Sequence, residues 1–258
     1  MTRVKDDPAG LMRRLLAEAI GTGLLVTVVV GSGIAAERLS PQDMGLQLLE
    51  NSTATVVGLA VLILMFGPVS GAHFNPVVTV ADWLLSRPSG TGLPGSSVGL
   101  CLVAQVVGGI AGAVLANVMF DLPAVQISGT ERATSGHGIG EIVATAGLVA
   151  VIFLLARTGR HALSAAAVGA YIGAAYWFAS STSFANPAVT VGRISSDTFA
   201  GIAPSSVPLY VGAQIIGAAI GVGLVVALFP VSNTHPDMAF AGHESSGAAA
   251  EAASNREH

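Results

Sequence analysis

Long runs without a formal charge dominate the pattern of this chain. They cover residues 19–36, 51–81, 98–120, 142–156, 162–192 and 198–236. A helix that crosses a ~30 Å hydrocarbon core needs about 20 apolar residues at a rise of 1.5 Å each. The pattern therefore predicts six membrane-spanning helices, at roughly 12–36, 46–66, 98–120, 139–156, 162–181 and 207–229.

Two of the charge-free runs, 51–81 and 162–192, are too long for one crossing and too short for two. Each run contains an Asn-Pro pair, within "GAHFNPV" at 71–77 and "TSFANPA" at 182–188. Asn is a favoured N-cap and Pro is favoured at the first helical position, so each pair predicts a helix that begins inside the membrane.

The helix that begins at Asn75 is predicted to be a half-helix. The ten residues from Asn75 to Leu84 would span about 15 Å, which is half of the hydrocarbon core. Backbone that is not helical at this depth is tolerated only where it lines a wet cavity or is buried in protein. The two segments before the Asn-Pro pairs therefore indicate a water-filled path.

An internal repeat relates the two halves of the chain. Three landmarks recur in the same order: "EAIGTGLL" at 18–25 and "EIVATAGL" at 141–148, "NPVVTV" at 75–80 and "NPAVTV" at 186–191, "AQVVGG" at 104–109 and "AQIIGA" at 213–218. Each unit holds three spans, an odd number, so the second unit must enter the membrane from the opposite side. This symmetry brings the carboxamides of Asn75 and Asn186 together at the midplane, where the positive helix ends favour neutral oxygen-bearing solutes over cations.

Basic residues are distributed unequally between the two sides of the predicted bundle. Eight lie on the side of the N-terminus and three, Arg38, Arg132 and Arg193, lie on the other side. The bias predicts that both termini are cytoplasmic. The expected organisation is a cytoplasmic tail at 1–11, a first inverted repeat at 12–120, an extracytoplasmic connection at 121–138, a second repeat at 139–230, and a disordered cytoplasmic tail at 231–258.

Composition agrees with a protein of the lipid bilayer. The 258 residues are 52% hydrophobic and only 10% charged, whereas about a quarter of the residues in a soluble domain are charged. The apolar run at 19–36 is longer than the core of a usual signal peptide, so a first span is preferred there. We expect no nucleic-acid partner.

Candidate residues for chemistry are scarce. The single Cys101 lies inside a span, which rules out a disulfide framework and a cysteine metal site. His235, His243 and His258 are scattered in the tail, where scattered histidines rarely bind metal. No nucleophile with a base and an orienting residue occurs at suitable spacing. We expect no metal, no cofactor and no enzymatic activity.

These duplicated features resemble the aquaporin or major intrinsic protein family of channels for water and small neutral solutes. The resemblance covers residues 12–230 and implies an all-α membrane fold with six transmembrane helices and two re-entrant half-helices. It also implies a homotetramer in the bacterial inner membrane. The pore boxes would be Asn75-Pro76-Val77 and Asn186-Pro187-Ala188. Val77 departs from the usual Ala, which is expected to adjust packing without abolishing the pore.

The resemblance assigns supporting roles to Glu18, Glu141 and His73. In the family the two glutamates are buried and accept hydrogen bonds from the re-entrant loops, which fits the cost of charge in a membrane. The alternative for Glu18 is an interfacial charge that pairs with Arg14, four residues earlier. His73 is expected to support its loop.

The usual filter positions of the family, counted from the two Asn residues, fall on Thr55, Ala174, Ser183 and Val189. Water-selective members have a bulky aromatic residue, a His and an Arg at three of these positions, and this chain has none of them. The filter is therefore expected to be wide and without fixed charge. Arg193 lies one helical turn beyond Val189, and is either a cation at the outer mouth or an exposed interfacial residue.

A filter of this composition resembles the bacterial branch associated with arsenic resistance. Trihydroxyarsenic is neutral and similar to a small polyol, so arsenite, glycerol, urea and water all stay open as cargo. A water-selective aquaporin is one alternative. A secondary transporter is another, because inverted repeats and broken helices serve that class too. Coupling, however, needs intramembrane ionisable groups, and only Glu18 and Glu141 approach that description.

Overall fold

The computed structural model describes residues 8–89 and 92–230. Most of the predicted N-terminal tail and all of the predicted tail at 231–258 lie outside the described residues. The same holds for basic residues that entered the orientation argument and for the tail histidines: Arg3, Lys5, Arg256, His235, His243 and His258.

Helices account for nearly all regular structure in the described ranges, which contain no β-strand. The α-helices are α1 Pro8–Leu39, α2 Met44–Ser70, α3 Pro76–Ser86, α4 Gly95–Met119, α5 Ser135–Arg157, α6 Ser164–Phe178, α7 Pro187–Gly192 and α8 Val207–Leu228. Short 3-10 turns occupy Arg87–Ser89, His161–Leu163, Arg193–Ser195 and Pro204–Ser206. The order agrees with two units of three spans and one half-helix each.

Five helices, α1, α2, α4, α5 and α8, are long and apolar enough to cross a membrane. The sixth predicted span is α6, which has 15 residues and therefore a length of about 22 Å. It is short because the chain leaves the helix at Ala179, which has the extended angles φ −94° and ψ 126°. The residues expected to finish this span, up to 181, already belong to the loop that leads back into the bundle.

Both half-helices begin at the Asn-Pro pairs, as predicted. Asn75 and Asn186 are extended N-caps, with φ −151° and φ −159°, and a proline follows each at the first helical position. The first half-helix, α3, has 11 residues. The second, α7, has only 6 and continues into the 3-10 turn Arg193–Ser195. We call residues 71–75 and 179–186, which precede them, the first and second re-entrant loops.

Glycines set the distance between paired helices in both repeats. In the first repeat, Gly108 and Gly112 of α4 lie against backbone atoms of Ala19 and Gly23 of α1. A side chain at either glycine would clash with a backbone carbonyl, so small residues here allow the close approach that membrane helices use for packing.

The second repeat uses the same device. Gly217 and Gly221 of α8 face the carbonyl groups of Ile142 and Ala146 of α5. In addition, α3 packs on α8 and α7 packs on α4, so that each half-helix contacts a long helix of the other repeat. The two repeats therefore share one core that surrounds the half-helices.

We expect Gly217→Val to destabilise the protein, since a Cβ at this position would lie 2.5 Å from the carbonyl oxygen of Ile142. Overpacking of this kind costs about 1–3 kcal/mol. The matched control is Gly212→Val in the same helix, because nothing lies within 4 Å of a Cβ there. Thermal unfolding in detergent should show a lower Tm for Gly217→Val alone. Equal losses in both variants would mean that helix propensity, and not the α5–α8 contact, is responsible.

Candidate functional site

The backbone of the two re-entrant loops is strained at matched positions. Positive φ values occur at Ala72 (51°) and Phe74 (51°), three and one residues before Asn75, and at Ser183 (49°) and Ala185 (46°), three and one residues before Asn186. Non-glycine residues in this region cost about 1–3 kcal/mol each and persist only where their surroundings enforce them. The conformation must therefore be held by other groups.

Glu18 of α1 holds the first loop. It is 1% exposed, and its Oε1 accepts hydrogen bonds from the Ser70 hydroxyl (2.6 Å) and the His73 amide (3.1 Å). Its Oε2 accepts from the Phe74 amide and from Nε2 of Gln105, both at 2.7 Å. This burial agrees with the supporting role and not with the alternative of an interfacial charge.

Glu141 of α5 holds the second loop in the same manner. It is completely buried, and its Oε1 accepts from the Phe184 amide at 2.8 Å. Its Oε2 accepts from the Ala185 amide (2.8 Å) and from Nε2 of Gln214 (2.6 Å). In both loops, two consecutive backbone amide groups therefore donate to a buried carboxylate.

A chain of hydrogen bonds, which was not predicted from the sequence, joins each glutamate to the start of a half-helix. In the first repeat Gln105 also donates to the Thr79 hydroxyl (2.9 Å), which donates to the Asn75 carbonyl (3.1 Å).

In the second repeat Gln214 donates to Thr190 (2.9 Å), and Thr190 donates to the carbonyl of Asn186 (2.8 Å). The signal was present in the sequence, because both the glutamines and the threonines occupy equal positions within the repeated motifs "AQVVGG/AQIIGA" and "NPVVTV/NPAVTV".

The two Asn side chains tie the loops to each other. Nδ2 of Asn75 donates to the Ala185 carbonyl, and Nδ2 of Asn186 donates to the Phe74 carbonyl, both at 2.8 Å. Their Oδ1 atoms cap the half-helices, on the amide of Val77 (3.1 Å) and on that of Ala188 (2.9 Å). A carboxamide has two N–H donors, so each Asn keeps one for another partner.

His73 lies beside the chain of hydrogen bonds in the first repeat. Its Nδ1 is 3.2 Å from the Thr79 hydroxyl, and its Nε2 is 4.0 Å from a carboxylate oxygen of Asp82. The ring thus connects the first re-entrant loop to the half-helix α3, in agreement with the expected support of the loop.

A cavity of ≈ 310 Å³ lies along the two loops. Its polar lining includes residues of the two loops, Asn75 and Asn186, and also Thr55, Asp82, His161, Ser164, Tyr176 and Arg193. Its apolar lining includes Leu25, Val29, Leu59, Ile63, Val78, Leu148, Ile152, Phe153, Val168 and Ile172. The remaining members of the Asn-Pro boxes, Pro76, Val77, Pro187 and Ala188, are buried and do not line this cavity.

Three of the four predicted filter residues reach the cavity, namely Thr55, Ser183 and Val189. Ala174 does not: it lies on the exposed face of α6, and Ile172 and Tyr176 line the cavity in its place. The hydroxyl of Tyr176 is 3.2 Å from Oγ1 of Thr55.

Counting residues back from Asn186 placed Ala174 in the filter, but this residue lies on the outward face of α6. Residues four apart share a helix face, whereas residues two apart lie on nearly opposite faces. Ile172 and Tyr176 therefore point inward together, and Ala174, midway between them, points outward. An aromatic residue consequently lines the cavity where the sequence analysis expected none.

Arg193, in contrast, is a cavity residue and is only 2% exposed. Its guanidinium carbon lies 3.4 Å from the centre of the Phe184 ring, and its Nε donates to the Ala200 carbonyl. The alternative of an exposed interfacial side chain is therefore wrong, and the cavity contains a fixed cationic group.

A family model described as major intrinsic protein matches residues 7–183. The chain belongs to this family. Major intrinsic proteins are passive membrane channels and not enzymes, so the cavity described above is the candidate conduction pathway.

Individual major intrinsic proteins resemble the chain over most of its length. Aquaglyceroporin AqpS of Rhizobium meliloti (strain 1021) is 46% identical over 215 residues, which cover 83% of this chain and 89% of that protein. The glycerol uptake facilitator protein of Pseudomonas aeruginosa is 29% identical, with 86% and 90% covered. An X-ray structure of the aquaglyceroporin from Plasmodium falciparum matches with a TM-score of 0.63 at 18% identity, over 83% of this chain and 95% of that one. At that identity the structural likeness shows the fold alone.

We expect Glu141→Gln to destabilise this major intrinsic protein, because the amide offers one acceptor oxygen where the carboxylate offers two. One of the two bonded loop amides, of Phe184 or Ala185, would face an NH₂ group, at a cost of about 1–3 kcal/mol. The measurement is the Tm of detergent-solubilised protein, followed by size-exclusion chromatography after heating.

The control is Glu131→Gln, which makes the same change at an exposed carboxylate. The Ser205 and Ser206 hydroxyls donate to Glu131 at 2.6 and 3.0 Å and lower the pKa of its carboxyl. It holds no re-entrant loop, so its Tm should stay near that of the wild type. A Glu141→Gln protein as stable as the control would contradict the supporting role.

Proposed function

We propose that the chain is a passive channel for small neutral hydroxylated solutes, namely polyols such as glycerol and trihydroxyarsenic, and that water passes with them. One observation carries this proposal: the cavity is lined both by polar groups, among them the re-entrant loops with Asn75 and Asn186, and by many apolar side chains of the surrounding helices. A three-carbon polyol likewise has two kinds of surface, with hydroxyl groups along one edge and C–H groups along the other.

The polar lining offers acceptors and donors to such a solute. Among the described residues, no donor reaches the carbonyl groups of Ala72 and His73 in the first loop or of Ser183 and Phe184 in the second. Asn75 and Asn186 line the same cavity, and each keeps one N–H that no described acceptor takes. A hydroxyl group that moves along the cavity therefore meets both acceptors and donors.

The proposed constriction consists of Thr55, Tyr176, Ser183 and Val189. Ser183 lines the cavity with a small side chain, and its buried Oγ has no hydrogen-bond partner among the described residues. Val189 offers neither charge nor length. This combination supports an opening wider than that of a water-selective channel, and Tyr176 replaces Ala174 in our proposal for the filter.

Arsenite is the finer part of the proposal. Trihydroxyarsenic is neutral at physiological pH and presents three hydroxyl groups, so the same acceptors and donors suit it. The names of two relatives, an aquaglyceroporin and a glycerol uptake facilitator, support the polyol part. The absence of a long side chain at position 189 supports passage of the larger trihydroxyarsenic molecule.

A secondary transporter has less support. Coupling to an ion requires a buried group that is free to bind and release that ion. Glu18 and Glu141 are both saturated, each with three or more hydrogen bonds from loops and glutamines. Passive conduction agrees better with carboxylates that are used entirely for structure.

The assembly and the location of the channel are also proposals. Five helices that fit a membrane make the chain an integral membrane protein. We propose that it lies in a bacterial inner membrane with both termini cytoplasmic, which is the orientation that the bias of basic residues predicts. Large apolar side chains such as Trp177 and Phe178 are exposed on the outer surface. We propose that lipid and neighbouring copies in a homotetramer cover this surface, with one pathway in each protomer.

Flux through purified protein in liposomes tests the proposed function. Stopped-flow measurements with water, glycerol, urea and arsenite should show fast flux that does not saturate and that has a low temperature dependence. Saturable flux that requires an ion gradient would identify a transporter instead. Vesicles that pass water alone would contradict the wide constriction while leaving a channel in place.

We expect Val189→Arg to reduce glycerol and arsenite flux far more than water flux. The long cation narrows an opening lined by Thr55, Tyr176 and Ser183, so larger solutes lose clearance while water still exchanges hydrogen bonds with the guanidinium. The loss for the larger solutes should be about tenfold or more. Ala174→Arg, on the exposed face of α6, is the matched control and should leave the ratio of the four fluxes unchanged. Identical ratios in Val189→Arg would remove position 189 from the constriction.

A further inference from the structure

Arg193 is a buried cation without an ionic partner among the described residues. Within residues 8–89 and 92–230 the one ion pair is that of His73 with Asp82, although Arg193 is only 2% exposed. A charge inside a membrane protein is costly and is therefore usually paired or functional. Arg193 is not paired, so its charge calls for a functional explanation.

Neighbouring groups hold the guanidinium of Arg193 in place. One face lies 3.4 Å from the centre of the Phe184 ring, which is close enough for a cation–π interaction. The Nε atom donates to the carbonyl of Ala200. Phe184 itself is fixed, because its amide donates to Glu141 and its ring packs edge-on against Tyr210, with 5.0 Å between the ring centroids.

The outer part of the guanidinium has no described partner. No described acceptor takes a hydrogen bond from its two terminal nitrogens, and Arg193 lines the same cavity as Ser183 and Val189. Up to four N–H donors are thus left for a solute.

Val189 and Arg193 are four residues apart on α7 and the 3-10 turn that follows it. Residues at this spacing lie on the same side of a helix, about 5–6 Å apart. The side chain of Val189 and the guanidinium of Arg193 therefore follow one another along the pathway. One residue affects the width of the opening, and the other supplies its charge.

We propose that Arg193 is the specificity-determining cation of this pathway: it excludes small cations and orients neutral hydroxylated solutes, while Val189 leaves the opening wide. This inference rests on the proposed function, because it names how that conduction pathway selects by charge. The hydroxyl oxygens of a neutral triol accept hydrogen bonds from the guanidinium, whereas methylammonium, although smaller than a triol, offers no acceptor and meets a fixed positive charge in a site of low dielectric.

The test is the uptake of methylammonium and glycerol into liposomes that contain equal amounts of wild type, Arg193→Gln and Arg193→Lys. Arg193→Gln keeps N–H donors and removes the charge. It should admit methylammonium about tenfold faster or more, because the electrostatic barrier is lost, while glycerol uptake stays within about threefold of wild type. Arg193→Lys keeps the charge and should exclude methylammonium as the wild type does.

The control variant is Arg38→Gln at the same end of the bundle. Arg38 also stacks on a phenylalanine, 5.2 Å from the centre of the Phe120 ring, and donates to the Phe120 carbonyl at 2.7 Å. It does not line the cavity, so its removal should leave methylammonium uptake unchanged. A rise in both variants would show a general leak and would overturn the inference.

The outcomes separate this inference from the proposed function. If wild-type liposomes pass neither glycerol nor water, the proposed function fails. If the wild type passes glycerol and Arg193→Gln still excludes methylammonium, only the role of Arg193 fails. Should Arg193→Gln not fold, Arg193→Met keeps an unbranched apolar side chain beside Phe184 and makes the same prediction. A wild type that admits methylammonium freely overturns the inference without any variant.

Discussion

Where a chain leaves a helix inside a membrane, its backbone amide groups must find hydrogen-bond acceptors within the protein, because hydrocarbon offers none. In this chain two buried carboxylates meet that requirement. Glu18 takes the amides of His73 and Phe74, and Glu141 takes those of Phe184 and Ala185. The strained loops, the position of the half-helices and the shape of the cavity all depend on these hydrogen bonds.

The same constraint gives the cavity its polar backbone lining. Because the loop amides donate to the carboxylates, the carbonyl groups of Ala72, His73, Ser183 and Phe184 keep no described donor, and positive φ values at matched positions accompany that arrangement. Most of the apolar lining comes from α1, α2, α5 and α6. The polar part of the cavity therefore follows from how the loop backbone is satisfied, and the surrounding helices supply most of the apolar part.

The two repeats act as one unit because their loops are joined. Asn75 and Asn186 each donate to a carbonyl of the other loop, so neither half-helix is positioned independently. At one end of the cavity, Phe184 belongs to the loop that Glu141 holds and also supports the guanidinium of Arg193. The structural carboxylate is in this way connected, through one residue, to the charge in the pathway.

The sequence alone was sufficient for the fold and for the centre of the site. Charge-free runs, the two Asn-Pro pairs and the matched motifs depend on local chemistry and on period, which is why the half-helix starts at Asn75 and Asn186 and the inverted order of spans were predictable. Gln105 and Gln214 lie at equal positions in the repeats, but their hydrogen bonds to Glu18 and Glu141 are evident only in the structure.

The lining of the constriction was decided by the tertiary structure. Whether Ala174 or Tyr176 of α6 faces the cavity depends on where that helix ends and how it is rotated against its neighbours, and a count along the chain does not contain this rotation. Whether Arg193 is exposed or buried depends on its contacts with Phe184, nine residues before it, and Ala200, seven residues after it, and the spacing alone does not predict these contacts. Local sequence determines which elements form and where they begin, whereas packing between elements determines which side chains share a cavity.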